Sequence, residues 1–134
     1  MKYYLDTNIC IYFLKGTFPS LLKKMLSFKP EKIKIPSMVK AELIYGAEKS
    51  HQKENNRDKI HKFLLPFEVI GFNEKAAEVY AGVRNKLEQA GTPLGPNDMV
   101  IAATALAGDG VLITHNLKEF TRIPELKVED WTEH

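Results

Sequence analysis

Three acids in this chain sit where a carboxylate serves a core badly and a site well: Asp6, Glu42 and Asp98. Asp6 ends the apolar run Tyr3-Tyr-Leu5, which reads as a first strand. Open α/β sheets bind ligands beyond the carboxyl ends of their strands. Glu42 precedes Leu43 at the edge of an apolar helical stripe, and Asp98 enters the first turn of an apolar helix after the breaker-rich loop Gly91 to Asn97. Each acid alone also has an ordinary reading. Asp6 can cap the helix that follows, Glu42 can face solvent, and Asp98 can complement a helix dipole, worth about 0.3–1 kcal/mol. Brought together they would repel, and one would hold a proton unless a cation neutralised them. Oxygen ligands without cysteine or paired histidines favour Mg²⁺ or Mn²⁺ over zinc. Such a cation polarises a phosphodiester and lowers the pKa of an attacking water.

The elements that must position these acids follow from hydrophobic period and breakers. Strands are expected at Lys2 to Leu5, at the alternating Ile33-Lys-Ile35 stopped by Pro36, and at Glu68 to Phe72, Val111 to Thr114 and Leu126 to Val128. Helices are expected at Ile9 to Leu14, closed by Gly16, and from Pro19 through Leu26. Another, capped by Ser37, carries Val39, Leu43, Ile44 and Ala47 inward. A polar lead-in from Ser50 to Asp58 precedes Ile60, Phe63 and Leu64. Asn73 caps a helix from Glu74 to Gln89, and Asn97 is a candidate cap for the helix from Met99 to Leu106. Alternation of strands and helices predicts an α/β fold, with a parallel sheet covered on both faces. Right-handed crossovers put the strands' C-terminal ends on one rim, so Asp6 and His115-Asn116 share it and Asp98 comes close.

The 134 residues are expected to form one domain, residues 1–134. A single cysteine, Cys10, excludes a disulfide framework and fits a reducing cytoplasm. No secretory leader is expected, and no apolar run approaches the ~20 residues of a membrane span. The net charge of +2 divides unevenly: thirteen Lys and Arg against six Asp and Glu up to Lys62, then six against eleven. A basic half can meet phosphates, with Lys15, Lys40 and Lys49 as candidate contacts; spread lysines equally describe a solvated face.

Four stretches carry a resemblance to a known family: Leu5-Asp-Thr-Asn8, Ala41-Glu-Leu-Ile-Tyr-Gly-Ala47, Gly95-Pro-Asn-Asp-Met-Val-Ile-Ala-Ala103 and Thr114-His-Asn-Leu-Lys-Glu-Phe120, with Val128-Glu-Asp-Trp131 behind them. In that order they resemble the PIN-domain ribonucleases, and closely the VapC toxins of toxin–antitoxin pairs. The resemblance implies a three-layer α/β/α sandwich with a central, mainly parallel sheet. It implies an endoribonuclease dependent on Mg²⁺ or Mn²⁺, with tRNA the foremost RNA class, that inhibits translation. It further implies a homodimer and a VapB-type antitoxin that fills the active-site groove, in a complex that binds operator DNA through the antitoxin. Asp6, Glu42 and Asp98 match the family's acidic positions, as metal ligands and catalytic residues.

The sequence departs from the family at Asn116, where many PIN domains place a fourth acid. An amide can orient a water but brings no charge, and Glu119 can supply the carboxylate if the chain turns helically there. One bound ion in the free protein is the expectation. Thr7, Asn8 and Thr114 are candidates to position carboxylates and waters. His115 reads as an exposed strand-end histidine rather than a general base; His51, His61 and His134 show no metal spacing. Tyr45 and Phe13 are read as core, with stacking on a base or on the antitoxin as the alternative.

Other classes fit less well. A phosphatase with Asp6 as nucleophile wants a second Asp where Asn8 stands. A phosphoryl-receiver lacks its acidic pair and late lysine, and no G-x-G-x-x-G follows the first strand. The remaining alternative is a catalytically weakened PIN domain that binds RNA or a partner, supported by Asn116.

Overall fold

A computed structural model describes residues 1–133; His134 lies outside them. Five strands form one sheet: β1 (Tyr3–Leu5), β2 (Ile33–Pro36), β3 (Glu68–Ile70), β4 (Val111–Ile113) and β5 (Lys127–Glu129). Their order is β3-β2-β1-β4-β5, and all four pairings are parallel. Seven α-helices connect them: α1 (Thr7–Lys15), α2 (Pro19–Leu26), α3 (Ser37–Lys49), α4 (Lys53–Leu64), α5 (Glu74–Gln89), α6 (Pro96–Ala107) and α7 (Leu117–Phe120). The fold is thus the expected α/β sandwich. Among the described residues no helix is long and apolar enough to cross a membrane.

The sheet is covered on both faces because successive side chains of a strand point opposite ways. Tyr4 turns to the end of α6, where a Cβ on Gly108 would stand 2.0 Å from its hydroxyl oxygen and one on Gly110 2.4 Å from its ring. Glycine is required there by contact. Tyr3 turns to the other face and meets Phe28 and Trp131, whose rings stack at 5.2 Å. The interior strand β4 is buried throughout, as its uniform apolar run dictates.

Helix ends follow their local chemistry in most places. Gly16 closes α1 in the left-handed region at φ 66°, and Pro19 opens α2. Asn73 caps α5 by accepting a 2.9 Å bond from the Ala76 amide. Asn73→Ala should therefore cost about 1 kcal/mol in urea unfolding; an unchanged midpoint would mean that α5 is held by α6 alone.

Three expectations need correction. Ser37 does not cap α3: Pro36 is both the last residue of β2 and the cap, so Ser37 is already helical. Asn97 does not cap α6, which starts at Pro96 without a side-chain cap. Nor does β2 alternate between core and solvent. Lys34 is buried and its ammonium lies 2.7 Å from Glu68 on β3. The buried Lys34 stem thus carries its ammonium to a carboxylate that is itself exposed.

Candidate active site

The strand order reverses its direction of growth between β1 and β4, and the crevice at their carboxyl ends is where an open parallel sheet offers room for a ligand. Asp6 follows β1 directly and Thr114 follows β4. Asp6 caps α1, with one carboxylate oxygen accepting from the Ile9 amide at 2.9 Å. It is nonetheless buried, and burial pushes its carboxyl up to about 6. The Thr114 hydroxyl and the Ile9 amide pull the other way; the charges of Asp98 and Asp130 push it further up. The cap and site readings of Asp6 are therefore compatible, because the cap bond engages only one of its carboxylate oxygens.

Asp98 stands in the first turn of α6, half-buried. Its carboxyl is raised by burial first and by the charges of Glu119 and Glu42 next. Glu42 comes from α3. Its Oε1 accepts from the Thr7 hydroxyl and its Oε2 accepts from the Asn97 amide at 3.2 Å. Glu119 rides α7, the helical turn that brings it toward Asp98. Asn116 lies nearer Asp6, in a cleft of about 260 Å³ shared with Asn8, Tyr12 and His115, and its backbone amide donates to Thr114 Oγ1 at 2.9 Å. Asn116 thus shares a cleft with Asp6, while the charge of Glu119 acts on Asp98.

No ion pair among the described residues involves Asp6, Glu42, Asp98 or Glu119. No three His, Cys, Asp or Glu side chains among them are drawn into a metal-holding group as they stand. What fits a hard divalent cation is the donor chemistry. The charge of Asp98 bears on Asp6 and those of Glu119 and Glu42 bear on Asp98, with no lysine or arginine paired to any of the four among the described residues and only oxygen to offer.

The family model described as PIN domain matches residues 3–126. Ribonuclease VapC2 of Rickettsia felis is 44% identical over 132 residues, covering 98% of both chains. The tRNA(fMet)-specific endonuclease VapC of Salmonella typhimurium is 38% identical, again over 98% of each. The chain belongs to the PIN-domain family, in its VapC branch. Solved structures agree. The VapBC2 complex of Rickettsia felis bound to a promoter DNA fragment superposes with a TM-score of 0.92 at 42% identity, covering 98% of this chain and 99% of that one. DNA-bound VapBC from Salmonella typhimurium gives 0.91 at 37%, covering 98% of each.

Within this PIN domain, three features escaped the sequence. Asn97, read as a cap, instead holds Glu42. Tyr45, read as core, is exposed with Lys49 over its ring at 4.6 Å, whereas Phe13 packs on Phe63. His115 is exposed as expected, with 43% of its side chain accessible, but Asp130 and Thr132 both reach its Nδ1, at 2.8 and 2.9 Å. One signal was legible in principle: Asp130 follows β5 at the same rim, just as Asp6 follows β1.

The Thr7 hydroxyl is the contact most open to test. Thr7→Val keeps the shape of α1 and frees Glu42 to swing. Groups that orient a metal's ligands typically contribute 10–100-fold, so single-turnover RNA cleavage should fall by about tenfold. Unchanged cleavage would mean that Glu42 needs no positioning from Thr7.

Proposed function

We propose that this chain is the toxin of a VapBC pair, an endoribonuclease dependent on Mg²⁺ or Mn²⁺ that cuts tRNA, with initiator tRNA the first candidate, and thereby stops translation. The observation that carries the reading is the set of uncompensated carboxylates, Asp6, Glu42, Asp98 and Glu119, gathered at the sheet's switch point. Relatives named ribonucleases and tRNA(fMet)-specific endonucleases, matched over nearly the whole chain, support the substrate class.

Asp6, Asp98 and Glu42 would hold the cation, Glu119 completing the charge and Asn116 orienting water from the Asp6 side. When bound, the cation would polarise the phosphodiester and acidify the attacking water. The protein's own part is positional. Thr7 and Asn97 fix Glu42, Thr114 and the Ile9 amide fix Asp6, and the first turn of α6 holds Asp98. Asn8 stands at the cleft mouth, where its amide can meet RNA or water.

The VapB partner has a site to match. A groove of about 860 Å³ runs between α1, α3 and α4, floored by Ile11, Phe13, Leu43, Ala47, Ile60 and Phe63. Lys15, Lys59 and Lys62 rim it, and Glu42 lines it too. An amphipathic antitoxin segment with acidic flanks would fill this groove and end at the acids. The proposal includes a homodimer, and a complex that reaches operator DNA through the antitoxin; the VapBC relatives solved with DNA bound support the DNA-binding complex.

The test is incubation of the antitoxin-free protein with initiator tRNA, elongator tRNAs and total RNA, in Mg²⁺, Mn²⁺ or EDTA. One discrete cut, strongest in initiator tRNA and absent in EDTA, is the expected result. Binding without any cut in either metal would replace the nuclease with the weakened binding module, and Asn116 would be its cause.

A further inference from the structure

The contacts of His115 go beyond what the cation chemistry requires. Its ring sits between Tyr12, edge-on at 6.0 Å, and Phe18, tilted at 5.5 Å. Nδ1 lies 2.8 Å from Asp130 Oδ2, while the other Asp130 oxygen accepts from the Thr132 amide at 2.9 Å and the Thr132 hydroxyl at 2.6 Å. The Asp130 side chain is only 5% exposed. Burial works against its charge, but bonds from Thr132 and His115 outweigh burial and hold the carboxyl below its ordinary value. An ionised carboxylate only accepts, so the bond to Asp130 places the ring proton on Nδ1.

Nε2 makes no hydrogen bond among the described residues, in a ring that lines the cleft beside Asp6, Asn8 and Asn116. A surface histidine with no task does not need a buried carboxylate, a threonine and two aromatic rings to fix it. This is the architecture of an oriented contact group. The neutral ring presents a lone pair at Nε2 and the charged ring presents an N–H. Phosphate oxygens only accept, so they would suit the charged ring alone. The ribose 2′-hydroxyl both donates and accepts, so it pairs with Nε2 in either state, whatever the base.

We infer that His115, held by Asp130 and Thr132, is a substrate-contacting residue that hydrogen-bonds a ribose 2′-hydroxyl beside the acidic cluster and helps the site choose RNA over DNA. This rests on the RNA reading of the same cleft. Asp130 and Thr132 are positioning residues, acting through the ring.

The test separates this contact from turnover. Affinities for a short single-stranded RNA of mixed sequence, and for the DNA of the same sequence, are measured in an Asp98→Asn background that blocks cleavage. His115→Ala and His115→Gln are then compared with that background. One lost hydrogen bond corresponds to roughly threefold to tenfold in affinity. The RNA preference should fall by that factor in His115→Ala and partly return in His115→Gln, whose amide can still pair with a hydroxyl. DNA affinity should stay constant. An unchanged ratio, or an equal loss on RNA and DNA, would overturn the inference; the equal loss would assign His115 to a phosphate. If wild-type protein cuts no RNA yet the preference falls as stated, the nuclease reading fails and this contact stands.

Discussion

Asp98→Asn should abolish RNA cleavage while leaving the fold intact. Asp98 lies in the first turn of α6, where asparagine fits without steric change, and its carboxyl makes no ion pair among the described residues that the substitution would break. What the amide removes is charge. Asp98 is the acid whose carboxyl is raised by burial and then by both Glu119 and Glu42, so it stands electrically between the other two. A group that merely orients a metal ligand contributes 10–100-fold, and a ligand itself should contribute about 100-fold or more. Single-turnover cleavage with Mn²⁺, alongside circular dichroism, reads both sides of the claim. Cleavage within a few-fold of wild type would remove Asp98 from the chemistry. A lost circular dichroism signal would make it structural.

The second large effect runs the opposite way: Asp6→Asn should make the metal-free protein more stable. Burial raises the Asp6 carboxyl from the ordinary 3.8 to about 6. The native state therefore binds this proton more tightly than the unfolded chain does. Its contribution to stability is complete below about pH 4, declines as pH rises toward 6, and is gone above that. Keeping Asp6 ionised in the fold costs about 3 kcal/mol at neutral pH. Asparagine carries no such cost and caps a helix as well as aspartate does. In EDTA near pH 7, urea unfolding should show Asp6→Asn more stable by about 1–3 kcal/mol, with the gain vanishing toward pH 4. Added Mg²⁺ or Mn²⁺ should stabilise wild type by mass action and leave the variant unmoved. Parallel pH profiles for the two proteins would mean that Asp6 is not strained by its own charge. Asp6, the residue proposed to hold the cation, is thus one whose charge the metal-free fold is better without.

Much of this was written locally. The apolar run ending in Asp6, the glycine–proline entry to α6 and the uniform Val111–Ile113 strand place three of the rim's residues without reference to anything distant. The pieces that stayed hidden are those whose meaning depends on a partner far along the chain. Lys34 reads as the outward residue of an alternating strand until Glu68 is known to lie beside it across the β2–β3 pairing. Asn97 has the residue type of a cap, but Pro96 already opens the helix and Glu42 claims the amide. Tyr45 follows the buried stripe of α3 by one position too many to stay inside. Asn116 and Glu119 could not be ranked from sequence, because the cleft beside Asp6 and the flank of Asp98 are separate places only once α7 is folded.

The central claim is that Asp6, Glu42 and Asp98 jointly hold a divalent cation. Titration of the antitoxin-free protein with Mn²⁺, followed by the electron paramagnetic resonance of free Mn²⁺, tests it most directly beside Asp98→Asn. The account predicts one tightly bound ion per chain in wild type, lost in the variant. Equal Mn²⁺ uptake by both proteins, or uptake by neither, would contradict it.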